Sequence, residues 1–338
     1  KMYDLLNYQF TEYYSNIKQQ LKGVLMAKSK LRTMISGPMA TVATPFDQEH
    51  MVDYGVMYDV TQWLVSRGLV TGKSVLKVAA AMGEGPQLRD TEWPHLLRTT
   101  VQAAKGRVPV MCGIHNKDTI RAIEDIKIAS DMGAVAVQLS APIHNGPTED
   151  DNIRFFTDVS NSIDIGIMIY NTHSMAGGAI SIEGFRKLVE LENIIAIKWS
   201  PPVADRPIPG KYEEIFEFID NVNIIDNCFG PARCIQQGGH GYMSHTVDIY
   251  PEHDFKLWDL LSSGRFSEAE QLWESVEKPL GEFSARAGKD SGGQATLKKA
   301  MMAVVGHPMG APRPPSNPLN ANEIAELKEI MLGFGWDI

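Results

Sequence analysis

From Gly37 onward, short β-rich runs alternate with amphipathic stretches, and this rhythm restricts the fold more than any other feature of the chain. The runs are 39–43, 74–79, 108–112, 135–140, 165–170, 194–199, 222–227 and 240–244. Several are apolar almost throughout, as strands buried on both faces of a parallel sheet must be. Between them lie helical patterns at 54–67, 91–104, 118–132, 149–162, 181–191, 211–219, 230–237 and 252–262, several opening on a capping candidate such as Asp90, Asp118 or Ser181. Eight strand–helix units predict a closed (β/α)8 TIM barrel of the α/β class, with an open doubly wound sheet as the alternative that periodicity alone leaves standing.

The flanks differ. Residues 1–36 are aromatic and polar, then basic at Lys28, Lys30 and Arg32, and read as an N-terminal extension. The barrel is assigned to 37–264. The strands then stop, and helical patterns at 266–283, 293–304 and 320–333 make 265–338 a C-terminal helical region, with the Pro- and Gly-rich 306–318 as a non-helical linker. The net charge of −9 argues against a nucleic-acid partner, which usually needs a basic face. No run approaches the roughly 20 apolar residues of a membrane span. The three cysteines, Cys112, Cys228 and Cys234, have no metal spacing and fit a reduced, cytoplasmic setting.

In a barrel of this kind the reactive groups lie at the C-terminal ends of the strands. That rule selects Lys198, near the end of IIAIKW, and Tyr170, at the end of IGIMIY on the preceding strand. A lysine in an apolar strand is costly to bury charged, which favours the neutral amine that attacks a carbonyl. The plainer reading is a strand-tip lysine snorkelling to solvent. A tyrosine hydroxyl beside it can move the protons of imine formation, and the plainer reading there is a core tyrosine with a hydrogen-bonded tip. His115 and Asn116, after the third strand, either line the pocket or make a surface turn. The long loop after Lys198 carries Arg206, a candidate anion contact.

The segments GPMATVATPFD (37–47), MGEGPQL (82–88), SAPIHNGP (140–147), IMIYN (167–171), IAIKWS (195–200) and GGHGYMS (238–244) occur in the order of the dihydrodipicolinate synthase/N-acetylneuraminate lyase family. The resemblance covers about 37–335. It implies a barrel with three C-terminal helices, class I aldolase-type chemistry on pyruvate or another 2-oxo acid, and a homotetramer built as a dimer of dimers. Lys198 matches the imine-forming lysine and Tyr170 the tyrosine that relays protons to it. No cofactor and no metal are implied, because the imine does the polarising.

The substrate-reading positions depart from that pattern. Gly83 and Glu84 match the end of the family's glycine-rich signature, but its two threonines fall on Ala81 and Met82, so backbone amides at 81–83 are what remains to hold a carboxylate. A tyrosine that crosses the dimer interface falls on His144. A proline becomes His173, and the carboxylate-binding arginine becomes Met175, which removes a bidentate contact. Tyr242 is expected at the substrate, and the nearby Gly238, Gly239 and Gly241 either let backbone approach it, as family position suggests, or simply make a tight turn. The resulting expectation is a Schiff-base lyase whose substrate is altered. The alternatives are a 2-oxo sugar-acid dehydratase, a non-catalytic oxo-acid-binding barrel and, against Ala81, His144 and Met175, a genuine dihydrodipicolinate synthase.

Overall fold

The computed structural model describes residues 28–115, 117–144, 146–172, 179–200, 212–227, 230–287 and 293–338. The strands are β1 Gly37–Thr41, β2 Val75–Val78, β3 Val110–Ile114, β4 Ala136–Ser140, β5 Gly166–Asn171, β6 Ile194–Trp199, β7 Asn223–Asp226 and β8 Gly241–Ser244. All are parallel and pair in sequence order, β8 closing on β1. The doubly wound alternative is thereby excluded.

The connecting helices include α2 (Tyr54–Ser66), α3 (Trp93–Ala104), α4 (Thr119–Asp131), α5 (Glu149–Ser160), α6 (Ile182–Leu188), α7 (Pro231–Gln236) and α8 (Pro251–Ser262), and a 3-10 helix at Tyr212–Phe218 takes the place of an α-helix between β6 and β7. Two of the expected caps form. Asp118 accepts from the amides of Ile120 and Arg121 at 2.9 and 3.0 Å, and Ser181 from Gly184 at 3.2 Å, satisfying donors that a helix N-terminus leaves unpaired. Asp90 does not cap. Helix α3 begins later with a proline in its first turn, and Asp90 instead pairs with Arg121 at 2.9 Å.

Side chains alternate across each strand, so every second residue faces the lumen. Outward residues such as Leu76, Val78, Val137, Leu139, Ile197 and Trp199 pack under the helices. Inward residues Met39, Val75, Met111, Ala136, Met168, Ala196 and Met243 fill the lower lumen, and Ile35 and Leu31 join them from below. Residues 28–34 form a helix, α1, across the barrel's N-terminal mouth. Arg32 donates to the side-chain oxygen of Asn223 at 3.1 Å, and Asn223 donates back to the Arg32 and Ile35 carbonyls at 2.7 Å each. Residues 28–36, read from sequence as part of the extension, lie under the barrel floor, with Leu31 and Ile35 in one cluster with Met39 and Ile225.

The register arranges the lumen in layers. Two strands along the pairing and then two residues up the strand keeps a side chain level in a barrel of this shear. Lys77 pairs with Met111, which pairs with Ala136, and two up from Ala136 is Gln138. Gln138 leads through Met168 and Ala196 to Lys198. Lys198 leads through Ile225 and Gly241 to Met243, and Met243 returns through Met39 and Val75 to Lys77. The even-numbered strands thus supply one closed layer of Lys77, Gln138, Lys198 and Met243. The same walk on the odd strands puts Thr41, Gly113, Tyr170 and Asn227 immediately above it.

After the barrel, α9 (Phe266–Ala287), α10 (Gln294–Val304) and α11 (Ala321–Gly333) pack on its flank and its C-terminal rim. Buried ion pairs fasten α10 and the linker after it: Lys298 with Asp248, Lys299 with Glu84 at 2.7 Å, and Arg313 with Glu92 at 2.7 Å. Among the described residues no helix is long and apolar enough to cross a membrane.

Candidate active site

Lys198 and Tyr170 stand side by side. They are register partners on β6 and β5. Lys198 is only 7% exposed, and its Nζ lies 4.4 Å from the centroid of the Tyr170 ring, which is half-buried. The plainer reading of Lys198, an amine extended into solvent, is not what the fold builds: alternation turns the side chain inward, and the ring of the next layer covers it. A cation or its imine over an aromatic face is attracted by the ring quadrupole.

His115 completes this wall. Its ring meets Tyr170 edge-on at 6.0 Å between centroids. Gly113 makes the space, since a Cβ there would fall 2.6 Å from the His115 Nε2. Burial lowers the His115 pKa to about 3, assisted by the charges of Lys198 and Lys77, so the imidazole is neutral across the ordinary pH range. The residue keeps some exposed surface, but its Nε2 is buried and without a hydrogen-bond partner among the described residues. A neutral imidazole with one ring nitrogen unengaged can accept or donate a hydrogen bond to a bound molecule.

The loop after β2 forms the rim. Ala81–Gly83 is a single 3-10 turn, Ala81 exposed and Met82 half-buried, and neither offers a hydroxyl. The Gly83 amide donates to the Ala80 carbonyl at 2.9 Å, so one of the three amides expected to hold a carboxylate is already engaged. Gly83 is needed where it is, because a Cβ would meet the Val42 carbonyl at 2.7 Å. Thr44 donates to the Gly83 carbonyl at 2.6 Å and holds the turn against the loop after β1. Glu84, at φ 60°, turns its carboxylate away from the lumen to Lys299.

Tyr242 requires a correction. It lies on the outward face of β8, and its hydroxyl donates to Asp254 of α8 at 3.0 Å while its ring packs near Trp258. Its inward neighbour Met243 is the lumen residue. His144 is exposed on the loop after β4. His173 and Met175, together with Asn116 and the Arg206 loop, lie outside the described residues.

Two lumen residues escaped sequence reasoning. Lys77 is 1% exposed and donates to the Gln138 side-chain oxygen at 2.6 Å and to the Met243 sulfur at 3.0 Å. Its signal was the one that exposed Lys198, a lysine inside an apolar run. Gln138, a polar residue in VAVQLS, carried the same signal more weakly.

A profile of the Dihydrodipicolinate synthetase family matches residues 34–332. The chain belongs to that family. The 4-hydroxy-tetrahydrodipicolinate synthase of Thermomicrobium roseum is 27% identical over 249 residues, 71% of this chain and 76% of that protein. The 4-hydroxy-tetrahydrodipicolinate synthase 1 of Halalkalibacterium halodurans is 27% identical over 295 residues, 86% of this chain and 94% of that protein. The barrel superposes on a putative dihydrodipicolinate synthetase from Pseudomonas aeruginosa with a TM-score of 0.76 at 22% identity, over 89% of this chain and 99% of the other. It superposes equally, with a TM-score of 0.76 at 19% identity, on a prophage protein of the same family from E. coli K12 solved with pyruvate, over 89% and 98% of the two chains. At these identities the superpositions establish the (β/α)8 fold with C-terminal helices.

Proposed function

We propose that the chain is a Schiff-base-forming lyase of the aldolase type acting on pyruvate or another 2-oxo acid. The observation that carries the reading is the enclosure of Lys198 in a barrel layer with its Nζ 4.4 Å above the Tyr170 ring. A lysine so placed is turned inward with an aromatic ring beside its amine. Its neutral amine attacks the C2 carbonyl, the carbinolamine oxygen takes a proton and leaves as water, and the protonated imine withdraws electrons from the adjacent carbon. Loss of a proton or cleavage of a carbon–carbon bond at that carbon gives the enamine. Protonation or addition to an aldehyde, then hydrolysis, returns the lysine. Tyr170 is the proton carrier within reach, and neutral His115 is the second group able to exchange a proton at the same wall. The chemistry requires neither metal nor organic cofactor.

Two features of the reading lie beyond one chain. The resemblance implies a homotetramer, and the exposure of His144 suits a place at a subunit contact. The altered positions Ala81, Met82 and Met175 favour an acceptor less acidic than that of a synthase, whereas the names of the curated relatives favour 4-hydroxy-tetrahydrodipicolinate synthase activity itself. A coupled assay with pyruvate and aspartate semialdehyde separates the two.

The imine itself is tested by borohydride reduction in the presence of pyruvate, followed by peptide mass spectrometry. The expected result is one reduced adduct, at Lys198, absent from Lys198→Ala. Protein that stays unlabelled across a panel of short 2-oxo acids refutes the proposal.

A further inference from the structure

We infer that Lys77 is the residue that binds the substrate carboxylate, opposite the lysine that binds its carbonyl. The inference deepens the proposed function and rests on Lys198 as the imine lysine.

The layer arithmetic makes the case. Lys77 and Lys198 belong to the same layer, and β2 and β6 are four strands apart in a ring of eight, so the two side chains enter the lumen from opposite sides. Lys77 donates to Gln138 on β4 and to Met243 on β8, the strands two places to either side of its own. A side chain that touches both must carry its Nζ toward the barrel axis. Both partners are acceptors, which suits an ammonium. Lys198 leans upward over Tyr170, in the next layer. The His115 ring stands in the same wall as Tyr170, edge-on to it.

The rim above keeps at most the Ala81 and Met82 amides for an anion. The turn at 81–83 lacks a hydroxyl, the Gly83 amide is engaged by Ala80, and the Glu84 carboxylate is turned to Lys299. In a 2-oxo acid the carboxylate carbon is bonded directly to the carbonyl carbon, so a ligand held covalently at Lys198 must place its carboxylate within the lumen. Lys77 is the cation facing Lys198 in that layer, and its ammonium bonds more strongly to a carboxylate than to the uncharged amide and thioether acceptors it would exchange. The ligand class is a short carbonyl compound with a carboxylate adjacent to the ketone.

The test compares a charged with a neutral ketone. Borohydride trapping at Lys198 is titrated with pyruvate and with hydroxyacetone in the full chain and in Lys77→Met, a variant of similar length without charge. The expected result is that the half-saturating pyruvate concentration rises about tenfold to a hundredfold while that for hydroxyacetone stays within about twofold. A general packing defect would move both ligands together, and equal shifts, or a pyruvate shift under about threefold, overturn the inference. Adducts mapped to Lys77 overturn it as well, since that lysine would then be the nucleophile. Should Lys77→Met fail to fold by circular dichroism, Lys77→Gln is read by the same criteria. Calorimetric binding of pyruvate to Lys198→Ala, in which no imine forms at that position, separates this inference from the imine reading. Binding that disappears when Lys77→Met is added supports the carboxylate role whatever the trapping shows, and binding that persists, or that is absent before Lys77 is changed, refutes it.

Discussion

The Arg313–Glu92 pair fixes the C-terminal Pro-rich turn to the rim of the barrel, and its removal has a calculable cost. Arg313 donates to both carboxylate oxygens of Glu92 at 2.7 and 2.8 Å, and also to the carbonyls of His50 and Gln87 at 2.9 Å each. The side chains are 11% and 7% exposed. Truncating one partner of a buried pair costs about 3–5 kcal/mol, because the other charge is left uncompensated. In Arg313→Met the Glu92 carboxylate keeps the Arg89 amide at 2.8 Å, which points to the lower end, about 3 kcal/mol. Glu92→Gln keeps the shape and loses the charge, for about 1–2 kcal/mol. If the pair is one unit, the double variant costs little more than Arg313→Met alone, a coupling of about 1–2 kcal/mol. Urea unfolding followed by circular dichroism and tryptophan fluorescence measures this where the two transitions coincide. The pH dependence adds an independent check. Hydrogen bonds from Arg313 hold the Glu92 carboxyl below its usual range. Its folded pKa lies below its unfolded pKa, so the contribution is full above the unfolded value of about 4.3 and is lost as pH falls through the folded one. The stability gap between the parent and Glu92→Gln should therefore narrow between pH 7 and pH 3. A coupling under about 0.5 kcal/mol at pH 7, or a gap indifferent to pH, refutes the reasoning and makes the pair an ordinary surface contact.

Two further outcomes follow from burial. Tyr242→Phe removes a hydrogen bond to buried Asp254 and should lower stability by about 1–2 kcal/mol in urea while leaving borohydride trapping at Lys198 unchanged; a loss of trapping in folded protein would return Tyr242 to the site. Burial pushes the Cys112 thiol up to about 12, so iodoacetamide at pH 8 should leave it unmodified in native protein and alkylate it in urea, read by peptide mass spectrometry.

The fold was legible because both signals that define it are local. Apolar runs such as IIAIKW and VAVQLS mark strands buried on two faces, and caps such as Asp118 and Ser181 mark where the chain turns helical. The errors lie where local sequence does not decide. Residues 28–36 look like a tail because their apolar members, Leu31, Met34 and Ile35, are few, and only the open end of the lumen brings Leu31 and Ile35 to the core. Asp90 has the right residue type for a cap, but a start at Trp93 placed it too early, and its charge went to Arg121 instead. Strand position and resemblance together select Lys198 and Tyr170, which the register makes neighbours. Resemblance alone selects His144, which is exposed.

Parity explains the remaining miss and suggests how it is avoided. Successive residues of a strand face opposite sides, so Tyr242 and Met243 cannot both reach the lumen, and a match to a family position near the end of β8 does not say which does. The register says it: Met243 is level with Lys77 and Lys198, and Tyr242 is register partner of Asp226, itself directed outward to Gly230 at 3.3 Å. A strand reading that marks polar residues in apolar runs and then asks which share the parity of Lys198 would have selected Lys77 and Gln138 and rejected Tyr242. The shear supplies what a single strand lacks, since an advance of two residues for every two strands ties each layer to all the others. One lysine placed by its chemistry then fixes the side chains that surround it, and in this barrel the residue it fixes opposite is a second lysine.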